Sequence, residues 1–197
     1  MRTGRLAPYR QRLLAQAEGR VLEIGIGSGL NLPFYSERTT EVVGLEPSPK
    51  LLAMACRQPT RVSLTALPGS AEAIPLDDGS VDTVVTTWTL CSIPDVGCAL
   101  GEMRRVLRAG GQLLFVEHGM APDGNVHRWQ RRLTPAWKRV AGGCHLDRPI
   151  RALVTDAGFQ IARLDAAYMA GPRAMAFLYE GRAVKAGGGR RGAGGGE

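Results

Sequence analysis

Arg20-Val-Leu-Glu-Ile-Gly-Ile-Gly-Ser-Gly-Leu30 joins a short apolar run to a carboxylate and then to glycines at positions 25, 27 and 29. The run reads as a buried strand. Glycine has no Cβ, so the backbone beyond the strand can turn sharply and approach a ligand closely. Such a ligand would lie across the carboxyl end of the strand, at the switch point of an α/β sheet. The dinucleotide fingerprint G-x-G-x-x-G requires glycine at position 30, and Leu30 stands there. A pyrophosphate needs a helix N-terminus aimed at it. A cofactor without phosphate needs only close backbone approach and hydrogen-bonding partners. A tight βα turn with no ligand would use similar glycines, so the loop requires a companion.

Glu41-Val-Val-Gly-Leu-Glu-Pro47 supplies one. It reads as a second short strand ending at Glu46, and an acid about 20 residues after a glycine loop accepts hydrogen bonds from ribose hydroxyls. Alone, Glu46 would be an ordinary solvated strand end. Loop and acid together favour an adenosine site.

With these residues in place, the stretch from about Arg20 to Val184 resembles the class I S-adenosylmethionine-dependent methyltransferases. The resemblance rests on Glu23 to Gly29, Glu46, Gly69-Ser-Ala-Glu-Ala-Ile-Pro-Leu76, Gly79-Ser-Val-Asp-Thr-Val-Val85 and Val106-Leu-Arg-Ala-Gly-Gly-Gln-Leu-Leu-Phe115. It implies a Rossmann-like α/β sheet, mostly parallel, and S-adenosyl-L-methionine as cofactor. It also implies cofactor contacts from Glu23, Gly25, Gly27, Ser28, Gly29, Glu46, Pro47, Ser70, Ala71, Glu72 and Thr87. Many members carry Asp where Ser70 stands, which shifts the adenine contact toward Ala71 and Glu72.

Length and composition are consistent with one such domain over residues 1–184, followed by a Gly-rich tail over 185–197 that is expected to be disordered. The chain has 197 residues. No apolar run approaches the roughly 20 residues of a membrane span, and the first ten residues lack the apolar core of a signal peptide. The cysteines at 56, 91, 98 and 144 form no C-x-x-C pair. No metal site is therefore expected, and free thiols in a reducing cytoplasm are the simplest reading.

The pattern alternates strands and helices as a parallel sheet requires. A leading helix is predicted over Arg5–Glu18. Strands are predicted at Val21–Gly25, Val42–Glu46, Val62–Ala66, Thr83–Thr87 and Gln112–Glu117. Helices are predicted near Leu30–Glu37, Pro49–Arg57 and Val96–Leu107, with Gly110-Gly111 as a helix stop and turn. Beyond a long insertion follow a helix at Ile150–Ala157 and strands at Gln160–Asp165 and Ala174–Glu180. Gly171-Pro172 suggests that these two strands pair as an antiparallel hairpin.

The insertion, residues 120–149, is where the acceptor should be read. Thr134-Pro135 is a helix start signal, so two short helices are expected. Trp129, Leu133, Trp137 and Val140 recur at helical spacing, and Arg128, Arg131, Arg132, Lys138 and Arg139 surround them with no acid between. The stripe would cover the sheet, line an apolar acceptor pocket, or rest on an anionic membrane surface as a weak peripheral contact. The insertion also resembles the thiol S-methyltransferase branch of the methyltransferase-like proteins. The matching residues are Trp129, Gln130, Leu133, Pro135, Ala136, Trp137, Gly143, Cys144, Leu146 and Arg148, together with Leu90-Cys-Ser92 and Glu117-His118. It implies acceptor contacts from Trp88, Trp129, Trp137 and Cys144. The animal members carry an apolar N-terminal membrane anchor that is missing here, so a soluble bacterial-type relative is expected.

Methyl transfer from a sulfonium is an in-line displacement, and alignment supplies much of its rate. A thiol acceptor with a pKa near ~8.5 is already partly ionised near neutral pH. His118 and His145 are the base candidates, or else a structural histidine and a surface loop residue respectively. Cys91 and Cys144 read as small buried residues. The formal charge of +7 raises a nucleic-acid partner. The charge is concentrated in the insertion and tail and no recognition motif is present, so a small-molecule acceptor is the expected partner. Other acceptors on the same fold would be a quinone, a phospholipid amine or another lipophile, methylated on oxygen or nitrogen.

Overall fold

The computed structural model describes residues 3–185. The tail expected to be disordered lies outside the described residues except for Lys185, which ends the last strand.

The chain begins with α1 (Thr3–Leu14) and β1 (Gly19–Ile24), then β2 (Thr39–Glu46), α2 (Pro49–Ala55), β3 (Ser63–Pro68) and β4 (Val81–Thr87). It continues with α3 (Val96–Val106), β5 (Leu107–His118), α4 (Gly124–Val140), α5 (Ile150–Asp156), β6 (Phe159–Tyr168), α6 (Arg173–Ala176) and β7 (Phe177–Lys185). The strands form one seven-stranded sheet in the order β3-β2-β1-β4-β5-β7-β6. β1 to β5 pair in parallel, and β7 is antiparallel to both β5 and β6. The order reverses between β1 and β4, so the carboxyl ends of these strands open a crevice there.

Successive strand residues face opposite sides, and both sides are covered. Leu22, Ile24, Val84, Leu113 and Phe115 pack under α3 and α5 through Leu100, Met103, Ile150 and Val154. Val21, Val42, Val85, Leu114 and Val116 meet Leu13 and Leu14 of α1 and Leu52 and Ala55 of α2. Each such burial is worth about 1.5–3 kcal/mol. Ser48 caps α2 through the Leu51 N–H with Pro49 in the first turn, and Asp95 caps α3 through the Cys98 N–H at 2.9 Å.

Three expectations are corrected. The helix expected over Leu30–Glu37 is only a 3-10 turn at Leu32–Phe34, because Tyr35 is extended (ψ 137°) and delivers its hydroxyl to Glu23. The stop at Gly110-Gly111 falls inside β5. The helix has already ended at Val106, and the two glycines sit where the β4–β5 register jumps between Val81↔Leu107 and Thr83↔Gln112. The two short helices of the insertion are one, α4, which runs through Pro135. Pro135 and Arg131 both lie on the exposed face, where water can take the carbonyl that the proline leaves without an N–H.

Candidate active site

The crevice holds a cavity of about 440 Å³. Its walls are Ile24, Gly25 and Gly27 after β1, Leu45, Glu46 and Pro47 after β2, and Gly69 to Glu72 after β3. Trp88, Thr89, Ser92, Ile93 and Pro94 after β4, together with Leu51 and Gly142, close it. Gly25 has φ +65°, and a Cβ there would lie 2.6 Å from Thr89 Cγ2. At Gly29, φ is +80° and a Cβ would lie 3.0 Å from the Ala55 Cα. The loop thus needs glycine for backbone angle and for close packing.

Glu46 is buried, with Oε2 accepting the Gly27 N–H and Oε1 accepting the Ser48 N–H, each at 3.0 Å. These bonds fix the carboxylate beside the cavity, and each oxygen keeps a lone pair for a hydroxyl. The 69–72 segment is held from below. Arg105 donates to the carbonyls of Ile74 and Leu76, each at 2.8 Å, and to Glu102 and Asp78. Glu102 in turn accepts the Ile74 N–H. The Arg105 bond first, then burial working against it, leaves Glu102 below the ordinary carboxylate range. Ser70 donates to Glu72, and that bond holds Glu72 low in the same way.

Glu23, Ser28, Gly29 and Thr87 do not line the cavity. Glu23 is buried beside the glycine loop. Its oxygens accept from Asn31 Nδ2 and the Tyr35 hydroxyl, each at 2.8 Å, and Asn31 also donates to Thr87 Oγ1 at 3.0 Å. Arg10 donates to Asn31 Oδ1 and lies 4.9 Å over the Trp88 ring. Burial, outweighing these donors, pushes Glu23 up to about 7. Glu23 thus braces the glycine loop from behind through Asn31 and Tyr35. Arg10, Asn31 and Tyr35 carried no motif that pointed to this network.

Trp88 reaches the cavity in an unusual way. It is the only non-glycine residue with positive φ (53°) among the described residues, and its buried Nε1 has no hydrogen-bond partner. Such strain persists only where the surroundings enforce it, and it collects at sites. Here the Trp88 N–H donates to the Val116 carbonyl at 2.8 Å.

Behind Trp88 lies a small cluster of Cys91, Cys144 and Leu146, packed by Leu133 and Trp137 of α4. The two thiols and His118 place their ligand atoms within 4.8 Å of one another. The Cys91–Cys144 contact, then burial, pushes the Cys91 thiol up, while the same contact, assisted by His118, draws Cys144 down. His118 and His145 are half-buried and off the cavity lining, His145 with Nδ1 3.1 Å from the Cys91 carbonyl. Arg148, also buried, donates to the carbonyls of Leu90 and Ile93 and ties the loop after β4 to the α4–α5 connection.

The expected apolar stripe is split. Leu133 and Trp137 pack inward, whereas Trp129 is 57% exposed and Val140 80% exposed. The buried face is completed by Gln130 and Thr134. Gln130 spans the start of the insertion, accepting the Ala121 N–H and donating to the Gly119 carbonyl. Trp129 and Trp137 are not cavity residues, and Arg128, Arg131, Arg132, Lys138 and Arg139 lie on the exposed face. Among the described residues, no helix is long and apolar enough to cross a membrane.

A parallel sheet with a glycine loop after its first strand and an acid after its second defines a nucleoside-cofactor α/β domain. Residues 22–115 match the methyltransferase domain family. Over 147 residues the chain is 30% identical to phosphatidylethanolamine N-methyltransferase of Cereibacter sphaeroides, with 73% of this chain and 71% of the relative covered. Over 154 residues it is 35% identical to thiol S-methyltransferase TMT1B of Rattus norvegicus. That match covers 75% of this chain and 63% of the relative, so the chain spans less than two thirds of that protein. An S-adenosylmethionine-dependent methyltransferase of Methanosarcina mazei shares the fold, with a TM-score of 0.69, 21% identity, and 88% and 95% of the two chains covered. The chain belongs to the class I S-adenosylmethionine-dependent methyltransferases.

Proposed function

We propose that the chain transfers the methyl group of S-adenosylmethionine to a small lipophilic acceptor, and that the acceptor is a thiol. When bound, the cofactor supplies an electrophilic methyl on a sulfonium. Glu46 would hold the ribose, Gly25 and Gly27 the methionine side, and Ser70 to Glu72 the adenine. Trp88, Thr89 and Ser92 would wall the acceptor.

The observation that carries the acceptor reading is that, among the described residues, no histidine, lysine or tyrosine lines the cavity. The acids there are Glu46 and Glu72, which this reading commits to the ribose and adenine sides of the cofactor. His118 and His145 stand behind the wall. A thiol is partly thiolate near neutral pH and needs no base, whereas an alcohol does. The likeness to a thiol S-methyltransferase supports the same choice. The likeness to a phospholipid amine methyltransferase favours nitrogen as the second reading. The reading sets the enzyme in the cytoplasm and invokes no nucleic acid.

Transfer of labelled methyl to a panel of alkyl thiols, phenols, quinols and phospholipid amines tests this. Thiol products, with a rate that rises toward the acceptor's own pKa, are expected. Product confined to oxygen or nitrogen overturns the thiol assignment, and tight NAD binding without S-adenosylhomocysteine binding overturns the cofactor.

A further inference from the structure

Cys91, His118 and Cys144 come from three separate segments, the loop after β4, the end of β5 and the loop after α4. Their Sγ and ring nitrogen atoms lie within 4.8 Å of one another. Four-coordinate zinc, with bonds of about 2.3 Å to sulfur and about 2.0–2.1 Å to nitrogen, sets such atoms roughly 3.5–3.8 Å apart. The observed separations, at most 4.8 Å, exceed that spacing by no more than about 1.3 Å. The donors are soft, and two thiolates with one neutral imidazole select thiophilic cations over Mg²⁺ or Ca²⁺. Both thiols are buried, and one divalent cation cancels two thiolate charges, so the loaded site is neutral where charge is costly. Next to His118, the buried Glu117 leaves Oε2 without a partner.

We propose that Cys91, Cys144 and His118 bind a thiophilic divalent cation, of which Zn²⁺ is the biological representative. Binding forms two metal–sulfur bonds and one metal–nitrogen bond, and releases the two thiol protons to solvent. The fourth position is left to a ligand from outside the cluster, the count of an open site. The cation would pin the wall carrying Trp88 and Ser92 to the α4–α5 connection carrying Gly142, all three of which line the cavity. This site is independent of the acceptor's identity and is read without turnover.

The untagged, reduced full chain is incubated with Zn²⁺ or Co²⁺, freed of loose metal by gel filtration and analysed by plasma mass spectrometry. Retention of about one equivalent per chain is expected, with a thiolate-to-cobalt charge-transfer absorption on the cobalt form. Cys91→Ser and Cys144→Ser should lose both signals, and His118→Gln should lower the retained metal at least tenfold. Cys56→Ser and Cys98→Ser, at exposed cysteines, should keep them. Circular dichroism identifies variants that have not folded, and the wild-type cobalt spectrum stands without any variant. A folded wild-type chain that retains no metal, a cobalt form without thiolate absorption, or undiminished retention in folded Cys91→Ser/Cys144→Ser overturns the proposal.

Discussion

Glu46 Oε2 accepts the Gly27 N–H at 3.0 Å, so the carboxylate ending β2 holds the glycine loop that follows β1. One side chain thus shapes the loop and offers its remaining lone pairs to the cavity. Glu46→Gln keeps the shape but sets an amide donor against a backbone N–H. S-adenosylhomocysteine should bind roughly 10- to 100-fold more weakly, the loss of about 1.5–3 kcal/mol from a charged hydrogen bond. Unchanged affinity by calorimetry would remove Glu46 from the ribose.

Glu23 sets a pH dependence. Its carboxyl moves from an ordinary 4.5 to about 7 on folding, so between those values the folded chain holds the extra proton. Stability therefore falls as pH rises from about 4.5 to about 7 and is level above that window. Glu117, raised to about 7 by burial, acts in the same direction. Glu23→Gln, which cannot ionise, should reduce the slope to the part that Glu117 contributes and remove up to about 3 kcal/mol of pH-dependent loss. Urea titrations across this range with equal slopes for both proteins would contradict the assignment.

Arg105 braces the segment that follows the 69–72 wall of the cavity, through Ile74, Leu76, Asp78 and Glu102. Arg105→Ala leaves two carbonyls without their donor and Glu102 with only the Ile74 N–H. A loss of about 2–3 kcal/mol is expected, together with weaker cofactor binding as residues 70–72 loosen. Thermal unfolding with and without S-adenosylhomocysteine reads both effects. A smaller ligand-induced rise in Tm than in the wild type is the expected sign, and an equal rise would confine Arg105 to stability.

The two tryptophans of α4 should behave oppositely. Trp137 backs Cys91 and Cys144, whereas Trp129 is largely in solvent against Arg132. Trp137→Ala should cost about 2–3 kcal/mol, less than the roughly 3–5 of a fully buried ring. It should also lower kcat/KM for the acceptor while leaving cofactor affinity nearly unchanged. Trp129→Ala should stay within about 0.5 kcal/mol. Denaturant titration and acceptor kinetics measure both, and equal losses in the two variants would restore the stripe as a single acceptor-facing surface.

The strand pattern, the glycine spacing interrupted by Leu30 and the acid at Glu46 were legible in the chain because they obey local rules. A strand alternates, a tight loop demands glycine, and a strand end carries its residue to the edge of the sheet. So the parallel sheet and its antiparallel closure could be written down from the strand pattern. Partners distant in the chain could not. That Asn31 and Tyr35 donate to the oxygens of Glu23 could not be read from their spacing. Trp129 and Trp137 looked equivalent until α4 settled on Gln130 and Thr134. The gathering of Cys91, His118 and Cys144 has no counterpart in any C-x-x-C spacing, since each arrives on a different segment. Local geometry is set by a few neighbouring residues and is written in their order. Which side chains meet across the cavity depends on how three layers pack, and only the packed sheet decides that.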